Sequence, residues 1–437
     1  MKRIFISFLG MGPDGEGYSE LNYQMEGKPE SISTEFVQRA EIEFLGSDSF
    51  DKIFILCTKK SHDYSFHDLR DELNDNLCID RQKIEHVPIN NVETIKHAWE
   101  LFDKINSLIN NGDRLVLDLT HGFRSLSIIL SAALNFILKS KSKITLEHVF
   151  YGQESFSDDN KGYIIDMKDF YIINEWADGV GRLVDNADAG KLAALADSDS
   201  NLHFSHLDDE TLINSLQDLT GTLKNIKVNR IARKTEAALD VIKNCLADSE
   251  GAERELLKLI ENKFQPLTAK SSGKYDREYF LLQIRIIGML IEHKLFMQAF
   301  TTMREFIGSI GMIGAPDNYT ENMNDNNTAD IRPHYADLFV RMIRFSEKKF
   351  KVTEHEKGRH SELKNSIFKK IGEIGILEEF KSVSKALLVV RDGFDHAWTG
   401  KGDKAVEKVG DIETIADEAV KCFDKLVKKL IEHEIIQ

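Results

Sequence analysis

The sequence predicts an α/β domain over residues 1–166 followed by an all-α domain over residues 167–437, on three observations. Short β-rich runs alternate with helix-like stretches in the first part, which argues for a parallel sheet covered on both faces. From about Met167 onward the segments carry helical periodicity with charged faces. The 437 residues also include only 6 prolines, far below the average of about 5%, which favours long helices.

The elements follow in order. Arg3–Leu9, Lys52–Cys57, Lys83–Pro88, Arg114–Leu119 and Ile144–Tyr151 are short, β-branched or aromatic, and bounded by turn residues, so they read as strands. Thr34–Leu45, His67–Asn74, Val92–Asn110 and Phe123–Lys139 read as the helices between them. In Val92–Asn110 the residues Val92, Ile95, Trp99, Phe102, Ile105 and Leu108 recur at helical spacing, which predicts one buried stripe. Gly152 to Asp166 reads as a hairpin returning as an edge strand, with Tyr163-Ile164-Ile165 as its second arm. Helices are then predicted over Thr235–Ala247, Ala252–Phe264, Tyr279–Ile307, Leu338–Phe350, Ser361–Ile374, Glu378–Phe394 and Ile412–Ile436. Turn-rich breaks fall at Asp197–Ser205, Thr268–Lys274 and Gly314–Thr328. Residues 186–268 belong either to the second domain or to a helical insertion in it.

Composition narrows the function. Apolar content of 42% and charged content of 30% suit a soluble globular protein with a real core. The net charge of −15 excludes nucleic-acid binding by bulk charge, so any phosphate site must be a local basic patch. Cys57, Cys78, Cys245 and Cys422 show no CxxC spacing, which argues against a disulfide framework or a zinc site. The start, MKRIFISFLGMG, turns polar too soon for a signal peptide. No apolar run approaches the roughly 18 residues of a membrane span. A cytoplasmic protein without membrane association is expected.

Two constellations carry chemistry. The first is Asp118-Leu119-Thr120-His121-Gly122-Phe123-Arg124-Ser125, between a predicted strand and a predicted helix. A strand entering a helix through a glycine turn offers free backbone N–H groups and the positive end of the helix dipole. Thr120, Arg124 and Ser125 add two hydroxyls and a cation, so the motif suits a phosphate-bearing anion. The competing reading is a tight turn with Asp118 as helix cap. In an open parallel sheet, ligands sit beyond the carboxyl ends of the strands, which should bring in the glycine-dense loop Gly10-Met11-Gly12-Pro13-Asp14-Gly15-Glu16-Gly17-Tyr18. Gly10-x-Gly12-x-x-Gly15 has dinucleotide-loop spacing. The following strand, however, ends in Cys57-Thr58-Lys59-Lys60 rather than in the acidic residue that would hold a ribose. Lys59 and Lys60 either meet a further phosphate or form a solvated pair.

The second constellation is Arg391-Asp392-Gly393-Phe394-Asp395-His396, at the end of an apolar helix. Residues five apart point about 140° from each other on an ideal helix, so Arg391 and His396 do not share a face. Arg391 can equally pair with Asp395 at i,i+4, a purely structural role.

Taken together and in order, ISFLGMG with Tyr18 and Tyr23, the Asp118–Ser125 motif and Arg391-x4-His396 resemble a known family. It comprises the CRISPR-associated proteins that join a CARF domain, a Rossmann-like sensor of cyclic oligoadenylate, to a HEPN ribonuclease domain. The segment Gln298–Phe306 resembles the helix that packs beside the catalytic one, where Arg304 has a simple packing role as its alternative. Asp392 stands where Asn or another polar residue is more common after the arginine.

The resemblance implies a Rossmann-like CARF domain followed by a HEPN domain, and a type III antiviral accessory effector. Its activity would be metal-independent cleavage of single-stranded RNA, switched on by cyclic oligoadenylate, with tetra-adenylate the expected ring. No other cofactor is implied. The ligand-binding residues would be Gly10, Met11, Gly12, Thr58, Thr120, His121, Gly122, Phe123, Arg124 and Ser125. Arg391, His396 and Asp392 would be catalytic, brought together across a homodimer or higher homo-oligomer so that the single-helix geometry no longer separates them. His396 would supply acid–base chemistry and Arg391 would hold the phosphate, giving a 2′,3′-cyclic phosphate and a 5′-OH. Two alternatives are a ring nuclease that degrades its ligand in the CARF pocket, and a non-enzymatic cyclic-nucleotide sensor.

Overall fold

The computed structural model describes residues 1–12, 17–121, 124–158, 160–197, 204–269, 274–316, 326–345, 350–395 and 412–436. They form two compact units, Met1–Glu175 and Trp176–Gln437.

The first unit is built on a sheet with eight strands among the described residues, in the order β3-β2-β8-β7-β6-β1-β4-β5. In chain order these are β1 (Arg3–Leu9), β2 (Leu21–Met25), β3 (Ser31–Thr34), β4 (Lys52–Cys57), β5 (Ile84–Pro88), β6 (Arg114–Asp118), β7 (Thr145–Glu154) and β8 (Lys161–Asp166). The group β5-β4-β1-β6-β7 is parallel throughout. β1 has a parallel neighbour on each side and helices over both faces, so its pattern is almost continuously apolar. Phe5 and Leu9 point into one core with Val37 and Ala40 of helix α1 (Val37–Leu45) and Leu69 and Leu73 of α3 (His67–Leu77). Ile4, Ile6 and Phe8 point into the other, with Leu101 and Ile105 of α4 (Ile95–Leu108) and Leu130 and Leu134 of α5 (Arg124–Ser140). The two-residue period of a strand thus sorts one segment between two helix layers.

Three sequence expectations change here. The hairpin of β7 and β8 forms, but β8 is not the edge: β2 pairs with it in parallel and β3 pairs with β2 antiparallel. Both extra strands are short and polar, so no apolar run announces them. The helix expected from Thr34 begins at Val37, since Ser31–Thr34 is taken into the sheet. In α4 the buried residues are Leu101 and Ile105, whereas Ile95 is 77% and Trp99 59% exposed.

The second unit is helical. A first layer comprises α8 (Glu210–Lys224), α9 (Val228–Asp248) and α10 (Gly251–Phe264), after α6 (Lys168–Asn186), which crosses from the first unit, and α7 (Gly190–Ala196). A bundle follows, of α11 (Arg277–Glu292), α12 (Phe296–Met312), α13 (Asn326–Arg344), α14 (Lys357–Asn365), α15 (Ile367–Ile374), α16 (Leu377–Asp395) and α17 (Ile412–Glu432). Phe280, Phe306, Phe339, Phe380 and Phe423 are fully buried in its core. The single helix expected over Tyr279–Ile307 is broken by Lys294 at φ 56°, where the Leu295 N–H caps the Leu290 carbonyl at 2.8 Å. No Gly or Pro marks that break. α13 begins at Asn326 rather than Leu338 and carries Pro333 inside it. The helix expected over Ser361–Ile374 is interrupted at Ser366.

One polar cluster lies inside the first unit. Ser7 on β1 and Asp118 on β6 are register partners, both fully buried, and the Ser7 hydroxyl donates to Asp118 Oδ2 at 2.7 Å. Gln38 of α1 donates to Ser7 Oγ at 3.1 Å. Glu41, one turn further, is fully buried, and no N–H or hydroxyl reaches either of its oxygens. Burial first, and the neighbouring Asp118 charge second, hold its carboxyl well above the usual carboxylate range and so favour its protonated form.

The folded protein therefore holds this proton to higher pH than the unfolded chain does, and this group's contribution falls as pH rises above its unfolded value of about 4.3. Glu41→Gln should remove that slope. We expect the variant to gain about 1–3 kcal/mol over the wild type at pH 8, with the gap closing towards pH 4, measured by denaturant unfolding at several pH values. A gap independent of pH would contradict the assignment.

Candidate ligand cleft at the carboxyl edge of the sheet

Chain order reverses between β1 and β6: β4 and β5 lie to one side of β1, β6 and β7 to the other. The loops that leave β1 and β6 therefore diverge and leave a crevice at their carboxyl ends. A cleft of ≈ 1070 Å³ occupies this position. It is lined by Gly10–Gly12 after β1, Thr58–His62 after β4, Pro88–Val92 after β5, and Thr120 and His121 after β6.

Each loop is shaped by a specific constraint. Gly12 has φ +79°, and a Cβ there would stand 1.8 Å from the Gly17 carbonyl oxygen, so only glycine lets the loop close on itself. The Gly17 N–H donates to the Met11 carbonyl at 3.0 Å to seal that closure. Tyr18 then folds back, and its hydroxyl accepts the Gly10 N–H at 3.0 Å. Burial pushes the Tyr18 hydroxyl up to about 12, so it stays neutral. Tyr23, by contrast, lies on β2 in the core.

After β6, Asp118 Oδ1 accepts the Thr120 N–H at 2.8 Å and bends the chain, while Thr120 Oγ1 accepts the Gly152 N–H at 2.6 Å. A Cβ at Gly152 would lie 2.7 Å from Val37 Cγ2 and 3.1 Å from Thr120 Oγ1. The close approach of β7 to this loop thus depends on glycine. With its acceptor side used, the Thr120 hydroxyl keeps its proton to offer into the cleft.

The His121 ring lies 4.4 Å from the Tyr18 ring, tilted by 38°. Its Nε2 is buried and unpartnered. Burial lowers its pKa, partly opposed by the Asp118 charge. His121 therefore brings to the cleft an aromatic ring beside Tyr18 and an unpartnered nitrogen, and burial disfavours its charged form.

The opposite wall begins at Thr58, whose Oγ1 accepts the Ser61 N–H at 3.3 Å and caps α2 (Lys59–Ser61). Lys59 and Lys60 are exposed and line the cleft. The helix runs on through a π-turn at His62–Phe66 into α3. The turn brings His62 to 4.1 Å from the His86 ring. Burial foremost, then the adjacent His62, lowers the His86 pKa.

Of the residues singled out from sequence, Gly10, Met11, Gly12, Thr58, Thr120 and His121 meet in this cleft. Ser125 sits half-buried in the first turn of α5 and does not line it, whereas Leu126 does. Gly122 and Phe123 lie outside the described residues, as does the side chain of Arg124. Sequence reasoning missed His62, His86, Asn90 and Asn91. The Asn90-Asn91 pair after a strand was a usable signal, because it marks a loop on the carboxyl edge. In the second unit, Arg391 and Asp392 fall in the last turn of α16 with their side chains outside the described residues, and His396 lies outside them altogether. α12 packs against α16, and Arg304 pairs with Asp337 at 2.7 Å and Glu305 at 2.8 Å.

Comparison with known proteins bears on this cleft. Residues 4–154 match the family described as CRISPR system endoribonuclease Csx1, CARF domain. A CRISPR-associated protein of Methanocaldococcus jannaschii is 27% identical over 231 aligned residues, 41% of this chain and 36% of that relative. The chain thus spans little more than a third of that relative's length. The solved structure of Enterococcus italicus Csm6 bound to cyclic hexa-2′-fluoro-hexa-dAMP is similar at a TM-score of 0.45 and 10% identity, covering 100% of this chain and 95% of that one. The strands and loops that build the cleft all fall inside the matched span, so it is the first unit of this chain that is similar to a CARF domain.

Proposed function

We propose that the chain is a cyclic-oligoadenylate-activated endoribonuclease of type III CRISPR defence that cleaves single-stranded RNA. The observation that carries this reading is the cleft: a CARF-matching unit gathers hydroxyls, two lysines and an imidazole beside a tyrosine ring at its switch point. That set suits a ligand with both phosphates and adenine rings. Lys59 and Lys60 complement phosphate charge, and His121 with Tyr18 offers a π-face.

A ring of repeated nucleotides is symmetric, which fits a site on the axis of a homodimer. Exposed apolar residues on the CARF unit support self-association. Ile95 and Trp99 on α4 and Phe136 on α5 stand in solvent, and the Phe102 and Phe136 rings meet at 5.4 Å to join the two helices. Ligand binding would bias the arrangement of the protomers and thereby the HEPN sites.

In those sites, each protomer contributes one Arg391 and one His396. A histidine takes the proton of the ribose 2′-OH, the freed oxygen attacks the adjacent phosphorus, and the P–O5′ bond breaks. The leaving 5′-oxygen receives a proton, leaving a 2′,3′-cyclic phosphate and a 5′-OH. Arg391 balances the charge that grows on the phosphoryl oxygens.

A second reading, ring cleavage within the cleft, draws on His62, His86 and His121 along its wall. Linear adenylates appearing when the pure protein is incubated with cyclic tetra-adenylate would establish it; an intact ring would dismiss it.

Three outcomes test the main reading. Labelled RNA should be cleaved faster with one of cyclic tri-, tetra- or hexa-adenylate than without, and Arg391→Ala or His396→Ala should lower that rate by about 10²–10⁴-fold while ligand binding is kept. Full cleavage in both variants would sink the assignment. Activity should survive excess EDTA, and its loss there would exclude the metal-independent route. Trp99→Glu should convert the dimer to monomer in light scattering and abolish activation; an unchanged dimer would move the interface elsewhere.

A further inference from the structure

A second cavity, of ≈ 390 Å³, lies within the helical unit. One face of α12 supplies Phe300, Arg304 and Ile307. Pro333, Asp337, Val340, Arg341 and Arg344 come from α13, where the proline removes an N–H from the helical ladder. Glu356 and Arg359 close one end, and Ser384, Leu387 and Leu388 of α16 form the floor. The volume falls in the range of about 300–1,000 Å³ typical of small-ligand sites.

Its charges do not cancel. Arg304 pairs with Asp337 and Arg341 with Glu356. Arg344 has no carboxylate partner among the described residues, and neither does Arg359. Arg359 spends one nitrogen on the His355 carbonyl at 3.0 Å, and its buried Nε has no partner. Ser384, only 7% exposed, also lacks a hydrogen-bond partner at Oγ, although a helical serine ordinarily bonds the preceding turn. Buried polar atoms left unmatched along an apolar wall mark a place where a ligand supplies the missing acceptors. In a chain of net charge −15 this positive excess is local and specific.

We infer that this cavity holds one nucleotide of the RNA strand, with its phosphate on Arg344 and Arg359 and its base against Phe300, Ile307 and Leu387. The placement follows from α16: Leu387 precedes Arg391 by four residues, or about 6 Å of helix rise, so the pocket flanks the proposed scissile phosphate. The inference rests on RNA being the substrate, and the test reads binding rather than cleavage.

Full-length protein carrying His396→Ala is titrated with a fluorescent single-stranded RNA across several salt concentrations. Adding Arg344→Glu, an exposed position where folding is not at stake, should weaken binding about tenfold and reduce the salt slope by about 0.7. Arg359→Gln should weaken it as well, and Ser384→Leu, which fills the floor, should do so with the slope unchanged, each at wild-type melting temperature. Unaltered RNA affinity in Arg344→Glu and Arg359→Gln would overturn the inference. Adenosine 5′-monophosphate binding as tightly as the strand would overturn it too, by assigning the pocket to a free nucleotide. Arg344-dependent RNA binding in a protein that never cleaves would support the pocket and remove only the ribonuclease reading.

Discussion

A carboxylate buried at the end of a central strand governs the first unit. Asp118 has no solvent to screen it, so the surrounding chain must satisfy it, and each group that does so also shapes the ligand cleft. One oxygen takes the Ser7 hydroxyl and ties β6 to β1 across the switch point. The other takes the Thr120 amide and sets the bend that presents Thr120 and His121. Gln38 of α1 donates to the same Ser7 hydroxyl, and burial beside Asp118 favours the protonated form of Glu41 one turn on, which brings α1 to the same centre. The cleft is in this sense the solvent-facing side of a buried hydrogen-bond network.

Close backbone approach is the second requirement. Gly12 and Gly152 both stand where a methyl group would collide with fixed atoms, backbone in one case and β-branched side chains in the other. They let the β1 loop fold over itself and let β7 press against the β6 loop. The result is a cleft whose floor is closely packed and whose cations, Lys59 and Lys60, sit on a helix start at its rim. A floor fixed by backbone contacts and cations exposed at the rim suit a cleft that selects an anion by shape and attracts it by charge.

Much of this was legible in the amino-acid sequence. The parallel strands were visible because burial on both faces forces an apolar run, and the Asp118–Ser125 motif because a glycine turn before a long apolar helix is locally encoded. β2 and β3 were not, since strands at a sheet margin need little hydrophobicity and take their order from pairing with β8. The break at Lys294 escaped notice for a similar reason: a lysine in the left-handed region is held by the Leu295-to-Leu290 bond and by packing, not by a residue type that favours it. Trp99 and Ile95 fitted the helical stripe of α4 yet face outward, because periodicity reports an apolar face without saying what covers it.

The sequence by itself determined the α/β-then-α order, the position of the anion-suited glycine turn and the Arg391-x4-His396 spacing, because each depends on residues near one another in the chain. Tertiary structure alone decided that Thr58, His62, His86 and His121 share one cleft, that the His121 ring lies against Tyr18 with its pKa lowered by burial, and that burial raises the pKa of Glu41. It alone gathered Arg304, Arg341, Arg344 and Arg359 around an unpartnered Ser384. Spacing can place a functional group on an element, but its charge state and its neighbours arise from desolvation and packing between segments distant in sequence.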